Sequence, residues 1–180
     1  MPLALRTPRL LLREWRDDDR APFAAMSADP AIAAWLPGQA NRAASDAWID
    51  GMRRLRDDHG LGYWAVELPG EASLIGAIGL SRVRHLPFAP AVEIGWRLAH
   101  AHWGRGYATE AARAVIDDGF GRLGLAEIVA FTAPANRASR RVMERLGMSH
   151  DPSDDFDHPS RPEGDPLRWH VLYRLRRPGS

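Results

Sequence analysis

Apolar and polar residues alternate along several short segments of the chain. In AVEIGWRLA, residues 91–99, apolar side chains are separated by polar or small ones, and this period of two predicts a half-buried strand. Short apolar runs bounded by turn residues predict further strands in RLLLREW, GYWAVEL, EASLIGAIGLSRV, EIVAFTA and LRWHVLYRLRR. In the last of these we expect one side to carry Trp169, Val171, Tyr173 and Leu175.

Between these strands, apolar residues recur every three or four positions, which predicts amphipathic helices. DDDRAPFAAMSAD has acids in its first turn, and SDAWIDGMRRLRDDHG has Ser45 as a predicted N-cap and Gly60 at its end. NRASRRVMERLG has Asn136 as its predicted N-cap and Gly147 just past its end. Its predicted apolar face is formed by Ala138, Val142 and Leu146. The stripe of ATEAARAVIDDGFGRLG consists of Ala108, Ala112, Val115, Ile116 and Phe120.

The order of these elements predicts a mixed α/β sheet in one domain over residues 1–180. The segment SHDPSDDFDHPSRPEGDP is polar and broken by prolines, so we expect a long loop before the last strand. The exposed edge of that last strand would need covering, and a homodimer is one way to cover it.

Composition removes several kinds of chemistry. Of 180 residues, 24 are basic, all of them Arg, and the formal net charge is +1, which disfavours nucleic-acid and membrane partners. Without Lys there is no Schiff-base lysine, and without Cys there is no thiolate nucleophile or acyl carrier. No apolar run reaches the length of a membrane span, and we expect a cytoplasmic protein that uses no metal.

The stretch HWGRGYATEA, residues 102–111, places two glycines between a predicted strand and a predicted helix. A turn of this kind aims backbone N–H groups and the positive end of the helix dipole at one point, which suits a phosphate. An ordinary tight connection would also explain it. A dinucleotide-binding fingerprint needs a glycine where Thr109 stands, and a Walker loop needs a lysine.

The longer stretch EIGWRLAHAHWGRGYATEA resembles the acyl-CoA-binding core of the GNAT superfamily of N-acyltransferases. The family motif begins with Gln or Arg, where this chain has Trp103, and otherwise matches through Ala108. That tryptophan is typical of the subgroup that resembles ribosomal-protein N-terminal acetyltransferases. TPRLLLRE and NRASRRVMERLGM are similar to two further segments of that subgroup, so the resemblance covers about residues 5–150.

The resemblance implies a mostly antiparallel sheet of six to seven strands, flanked by helices and splayed at a central parallel pair. It implies acetyl-CoA as the acyl donor, with the pantetheine arm along the backbone of residues 96–98 and the pyrophosphate on the amides of residues 104–109. Asn136 would reach the pantetheine and Ser139 the sulfur. The implied CoA-binding residues are Trp96, Arg97, Leu98, Trp103, Gly104, Arg105, Gly106, Tyr107, Ala108, Thr109, Asn136 and Ser139.

Amide formation from a thioester needs a base for the amine and a group that assists the leaving thiolate. Glu93 is the first candidate for the base, and an ion pair with an arginine is its alternative explanation. Ser139 is the candidate at the thiolate, with Tyr107 and Tyr173 as alternatives. These residues predict direct transfer to a primary amine in a ternary complex. A CoA-binding module without turnover and an enzyme that uses succinyl-CoA remain open.

The acceptor is expected to be a small amine or a protein N-terminus, bound near Trp35, His158 and His170. His170 is an alternative base. The acids of residues 151–157 would suit a cationic amine if they formed a rim, although a solvated loop explains the same composition. We expect His100 and His102 to be solvated loop residues rather than metal ligands.

Overall fold

A computed structural model describes residues 4–36 and 41–179 of the chain. Its strands are β1 (Ala4–Arg6), β2 (Leu11–Arg13), β3 (Gly62–Leu68), β4 (Ala72–Val83), β5 (Ala91–Leu98), β6 (Glu127–Thr132), β7 (Ser149–His150), β8 (Phe156–Asp157) and β9 (Trp169–Arg176). Its helices are α1 (Arg20–Ala28), α2 (Pro30–Ala33), α3 (Arg42–His59), α4 (Tyr107–Gly121) and α5 (Arg137–Arg145). Within these residues, no helix is both long enough and apolar enough to cross a lipid bilayer.

All the strands form one sheet in the order β1-β2-β3-β4-β5-β6-β9-β7, and β8 pairs with β9 beyond this path. Every pairing is antiparallel except that of β5 with β6. This parallel pair is in register only at Glu93 and Val129, whereas β4 and β5 pair over eight positions. The predicted mixed sheet, splayed at a central parallel pair, is therefore confirmed.

Within residues 4–36 and 41–179, the sheet has nine strands rather than six or seven. The additional strands β1, β7 and β8 span only two or three residues each, which is too short for a hydrophobic period to mark them. Strands β7 and β8 lie in the segment predicted as a loop and pair with β9 on the side away from β6. They cover the edge that a homodimer was expected to cover, so that argument for a dimer no longer applies.

The two faces of the sheet bury different cores. On one face, the predicted stripe of α4 and Met143 of α5 pack against Trp64, Ile78, Ile94 and Ile128 in the largest cluster of buried side chains. On the other face, α1 and α3 cover Ala65 and Ala77 with a cluster that includes Trp15, Phe23 and Ile49. A third cluster, built on Val129, Phe156 and Leu172, covers the other half of that second face. Between the last two clusters the second face is open.

Several local predictions need correction. Helix α3 begins at Arg42, three residues before Ser45, because the Asn41 side chain accepts a hydrogen bond from the amide of Ala44 at 2.8 Å. Ser45 itself is buried inside the helix. In α5 the core residue is Met143, with 2% of its surface exposed, whereas Ala138 is exposed. Nine residues give too few helical turns to decide from the sequence which row of side chains faces the sheet.

The last strand also differs from its predicted pattern. Trp169 is 48% exposed, and Leu172, expected on the other side from Val171 and Tyr173, is buried like them. β9 lies inside the sheet and is covered on both faces, so its residues do not divide into a buried and an exposed side. The ends predicted at Gly60, Gly147 and Asn136 are confirmed, since Gly60 and Gly147 have φ angles of 67° and 76° and Asn136 caps α5. The acids of residues 17–19, predicted in the first turn of the first helix, instead form a short 3-10 turn before α1 begins at Arg20.

Candidate active site

The glycine turn connects the end of β5 to the start of α4. Gly104 and Gly106 have φ angles of 74° and 82°, a left-handed conformation that glycine adopts without strain. A Cβ at Gly104 would meet no protein atom within 4 Å, so the backbone conformation rather than crowding requires glycine there. The amide of Glu110 is bonded to the carbonyl of Gly106 at 3.0 Å. The amides of residues 107–109 therefore form the free N-terminal end of α4, where anions are stabilised.

Arg9, from the loop between β1 and β2, holds this turn in place. Its guanidinium bonds to Glu110 of α4 at 2.7 Å and to the carbonyl of Arg105 at 3.0 Å, and lies 4.6 Å from the ring centroid of Tyr107. Thr7 donates a further hydrogen bond to Glu110 at 2.6 Å. This network could not be predicted from the sequence, because these residues are about a hundred positions apart and no periodic pattern connects them.

A cavity of about 950 Å³ runs from the glycine turn across the open part of the second sheet face. Eleven of the twelve predicted CoA-binding residues line it, namely Trp96, Arg97, Leu98, Trp103, Gly104, Gly106, Tyr107, Ala108, Thr109, Asn136 and Ser139. Arg105, the twelfth, is exposed and lies outside the lining. The same cavity is lined by Glu93, Trp35, His158 and His170, so the predicted donor and acceptor residues meet in one space.

Two of the predicted CoA contacts already bond within the protein. The Asn136 side chain accepts a hydrogen bond from the Ser139 amide at 3.2 Å and donates one to the Thr132 hydroxyl at 3.1 Å. The Trp103 indole donates to the carbonyl of Leu98 at 2.7 Å, at the end of β5. Asn136 and Trp103 therefore shape the wall, whichever contacts they make with a ligand.

Glu93 projects from β5 next to the point where β5 and β6 separate. The hydroxyl of Ser81 on β4 donates a hydrogen bond to its Oε1 atom at 2.7 Å. Burial raises the pKa of the Glu93 carboxyl, and the hydrogen bond from Ser81 opposes that shift. Within residues 4–36 and 41–179 no cation forms an ion pair with Glu93, so the alternative explanation by an arginine partner is not supported.

Tyr63 of β3 extends the polar row behind Glu93. Its hydroxyl lies over Gly95 of β5, where a Cβ would overlap it. Burial raises the pKa of Tyr63. Tyr63 and Ser81 could not be predicted as neighbours of Glu93, because their positions relative to it depend on the register of β3, β4 and β5.

The two histidines from the last part of the chain form one wall of the cavity. Nδ1 of His170 lies 3.1 Å from the carbonyl of Arg168, which only accepts, so Nδ1 carries the proton and Nε2 the lone pair of the neutral ring. His158 has the opposite tautomer, because its Nδ1 accepts from the amide of Ser160 at 3.3 Å. The ring centroids are 5.0 Å apart, and burial lowers the pKa of both imidazoles.

Other predicted residues lie in different surroundings. His102 lines the cavity and is half-buried, contrary to expectation, while His100 is exposed and packs on Trp103. Of the alternative acids, Tyr107 lines the cavity and Tyr173 does not. Tyr173 instead packs in the core beneath α5, with its hydroxyl 3.4 Å from Nε of Arg140.

The acids of residues 151–157 do not form a rim around this cavity. Asp154 pairs with Arg174 at 2.6 Å, Asp155 with His150 at 2.8 Å, and Asp157 with Arg168 at 3.0 Å. None of the acids in this segment belongs to the lining. They stabilise the packing of β7 and β8 against β9 instead.

Known proteins resemble this chain over most of its length. A model of the acetyltransferase (GNAT) domain matches residues 9–149. YoaA of Bacillus subtilis (strain 168), described as an uncharacterized N-acetyltransferase, is 31% identical over 147 residues, which cover 79% of this chain and 81% of YoaA. The crystal structure of an acetyltransferase from Agrobacterium tumefaciens str. C58 is 32% identical, with a TM-score of 0.77 over 98% of this chain and 95% of that one.

The fold is also shared with an enzyme whose structure contains CoA. RimL, a ribosomal L7/L12 alpha-N-protein acetyltransferase solved in complex with coenzyme A, superposes with a TM-score of 0.79. The two chains are 14% identical, and the match covers 96% of this chain and 97% of RimL. At that identity the similarity concerns the fold.

Proposed function

The chain belongs to the GNAT family of acetyltransferases, and we propose that it transfers an acetyl group from acetyl-CoA directly to a primary amine bound in the same cavity. The observation that carries this proposal is the single cavity that joins the free amides at the start of α4 to the buried carboxylate of Glu93. One end suits a pyrophosphate and the other suits an ammonium. We place the reaction in the cytoplasm, a location with which a chain free of cysteine is compatible.

The donor end has the groups that a CoA molecule needs. The amides of residues 104–109 would hold the pyrophosphate, and the half-open edge of β5 at residues 96–98 would pair with the amides of the pantetheine arm. The separation of β5 from β6 leaves that edge accessible, since the two strands share only one register pair. Ser139, half-buried near the start of α5, would lie near the sulfur, and Asn136 would hold the wall beside it.

At the acceptor end, Glu93 would take the proton that the amine must lose. The neutral nitrogen then attacks the thioester carbonyl carbon, the carbon–sulfur bond breaks, and the new amide loses its second proton as the thiolate gains one. Ser139 would donate a hydrogen bond to the departing sulfur. Trp35, His158 and His170 would contact the acceptor, and the lone pair on Nε2 makes His170 the second candidate for the base.

Calorimetry with acetyl-CoA, followed by an assay for released CoA thiol with a panel of amines and N-terminal peptides, tests the proposal. We expect binding and release for the wild-type protein, and binding without release for Glu93→Gln. If wild-type protein binds acetyl-CoA but releases none with any acceptor, a CoA-binding module is the better description. If succinyl-CoA binds more tightly and turns over faster than acetyl-CoA, the donor has been assigned wrongly.

A further inference from the structure

The walls of the acceptor end have a composition that restricts the amine. We propose that the acceptor is a monoamine, with one ammonium group carried on an apolar or aromatic body, and that polyamines are excluded. This inference rests on the proposed function, because it concerns the acceptor of the same reaction. It is carried by the charges along the cavity and by the aromatic side chains on both sides of Glu93.

The cavity offers one carboxylate. Among the lining residues within 4–36 and 41–179, Glu93 is the sole acid, and the remaining charged residues are Arg97, Arg141, Arg145 and Arg161. The sequence has no Asp or Glu at positions 1–3, 37–40 and 180, so those positions bring no acidic side chain. A polyamine would place its second ammonium in this cavity without a carboxylate partner, and an unpaired charge removed from water is strongly unfavourable.

The nearby acids do not supply the missing charge. Asp154 and Asp157 are held by Arg174 and Arg168 outside the lining, at 2.6 Å and 3.0 Å. Asp165, also outside the lining, pairs with Arg161 at 3.4 Å. A cluster of acids in the sequence thus becomes a set of internal ion pairs, and the ammonium group of the acceptor has Glu93 as its counter-charge.

Aromatic groups stand on both sides of this carboxylate. On one side Trp48 of α3 stacks on Phe23 at 5.0 Å and meets the Tyr63 ring edge-on at 5.1 Å. On the other side Phe131 of β6 lies 5.8 Å from His170 and 6.1 Å from His158. The burial that lowers the pKa of both histidines keeps this second wall neutral at neutral pH. Such walls favour an apolar body through contact and through exclusion of water.

The same chemistry occurs in a small arylalkylamine and in the N-terminal residue of a peptide with a large apolar side chain. Three probes separate these sources from a polyamine: 2-phenylethylamine, a short peptide that begins with phenylalanine, and spermidine. We expect 2-phenylethylamine or the peptide to have a kcat/KM at least about tenfold above that of spermidine. The probe with the higher kcat/KM shows whether the acceptor is a free arylalkylamine or the N-terminal residue of a peptide.

A pair of variants makes the test independent of the size of the probe. Met52→Glu places a second carboxylate in the cavity wall on α3, and Met52→Gln has the same shape without the charge. We expect Met52→Glu to gain binding and turnover of spermidine over wild type, and Met52→Gln to gain neither. Equal gains in the two variants would overturn the proposal, because charge would not then be the limiting property.

Equilibrium binding of each probe to the protein saturated with CoA separates this proposal from the proposed function. If 2-phenylethylamine or the peptide binds and spermidine does not, the inference holds even where no acetyl transfer is seen, and the activity alone is in doubt. If spermidine is bound or acetylated best, or if none of the three probes binds, the inference is wrong while acetyl-CoA binding stands unaffected.

Discussion

The two ends of the cavity are built in different ways. The donor end is made largely of backbone from one continuous stretch, residues 96–109, with two glycines in left-handed conformation and the first amides of α4. The acceptor end is made of side chains from six separate strands and helices, including Trp48 on α3, Glu93 on β5 and His170 on β9. Backbone chemistry is the same in every relative, so the donor end suits a constant ligand, while the side chains of the acceptor end can vary with the substrate.

Replacing Glu93 should give the largest effect, because it should impair catalysis at the acceptor end without changing binding at the donor end. We expect Glu93→Gln to lower kcat by roughly 100- to 10,000-fold, which is the usual contribution of a positioned base. The Kd for acetyl-CoA should be unchanged, because in the proposed function the amides of residues 104–109, and not Glu93, hold the donor. Steady-state rates and calorimetry measure the two quantities on one preparation.

Glu127→Gln provides the matched control for Glu93→Gln. Glu127 also lies on a strand of the sheet, but it pairs with Arg174 at 2.8 Å outside this cavity. It should keep nearly full activity. If Glu93→Gln lost less than about threefold, His170 would become the base, and His170→Gln would then be expected to carry the large loss.

A glycine substitution at the donor end should weaken the binding of acetyl-CoA, which the Glu93 substitution leaves unchanged. Gly106→Ala puts a Cβ on a residue with φ of 82°, where the backbone is strained, and the loop has to move to relieve this strain. The added Cβ would lie 3.5 Å from the Arg9 guanidinium, an ordinary contact, so crowding is not the cause. We expect the Kd for acetyl-CoA to rise about tenfold, from loss of roughly 1–2 kcal/mol of binding.

Gly121→Ala, at the other end of the same helix, is the control for Gly106→Ala. Gly121 does not have positive φ, and its Cβ would meet nothing within 4 Å. Its affinity for acetyl-CoA should equal that of wild type. Calorimetry that gave the same Kd for all three proteins would show that the turn at Gly106 does not hold the donor.

Ser81→Ala should change the pH dependence of the reaction while leaving the proposed base, Glu93, in place. The Ser81 hydroxyl stabilises the ionised form of Glu93, so its loss should raise the pKa of Glu93 further above its usual range. Since the base acts when ionised, the acidic limb of kcat/KM against pH should move to higher pH. Activity well above that limb should change little.

Ser81→Thr keeps a hydroxyl at the same position and should restore the wild-type limb. A merely structural role for Ser81 predicts a loss that is the same at every pH. If Ser81→Ala lowered kcat/KM equally at every pH without shifting the acidic limb, Ser81 would not be a residue that positions Glu93 or tunes its pKa.

The same contrast explains what could be predicted from the sequence. The glycine turn and Glu93 lie in one stretch of about fifteen residues, where the strand period and the family motif are both visible. Residues that meet across strands, such as Ser81 and Glu93, depend on register, which the sequence alone does not determine. For the same reason the sequence could not decide between a rim and a solvated loop for the acids of residues 151–157, and did not show that β7 and β8 direct them into ion pairs with the arginines of β9 and of the preceding loop.

Arg9 should give the smallest effect, because it supports the donor end from outside the cavity. Arg9→Gln removes the ion pair with Glu110 and the bond to the Arg105 carbonyl, while the glycines and the amides of α4 remain. The Arg9 side chain is 46% exposed, so solvent screens the ion pair and its contribution to stability is about 1 kcal/mol or less. We expect KM for acetyl-CoA to rise by about two- to threefold with kcat unchanged, and Arg6→Gln, an exposed arginine of β1, to leave both unchanged. Arg9 fixes the position of the turn, whereas the glycines determine its backbone conformation. If Arg9→Gln weakened acetyl-CoA binding as much as Gly106→Ala, the turn would depend on Arg9 for its conformation as well as for its position.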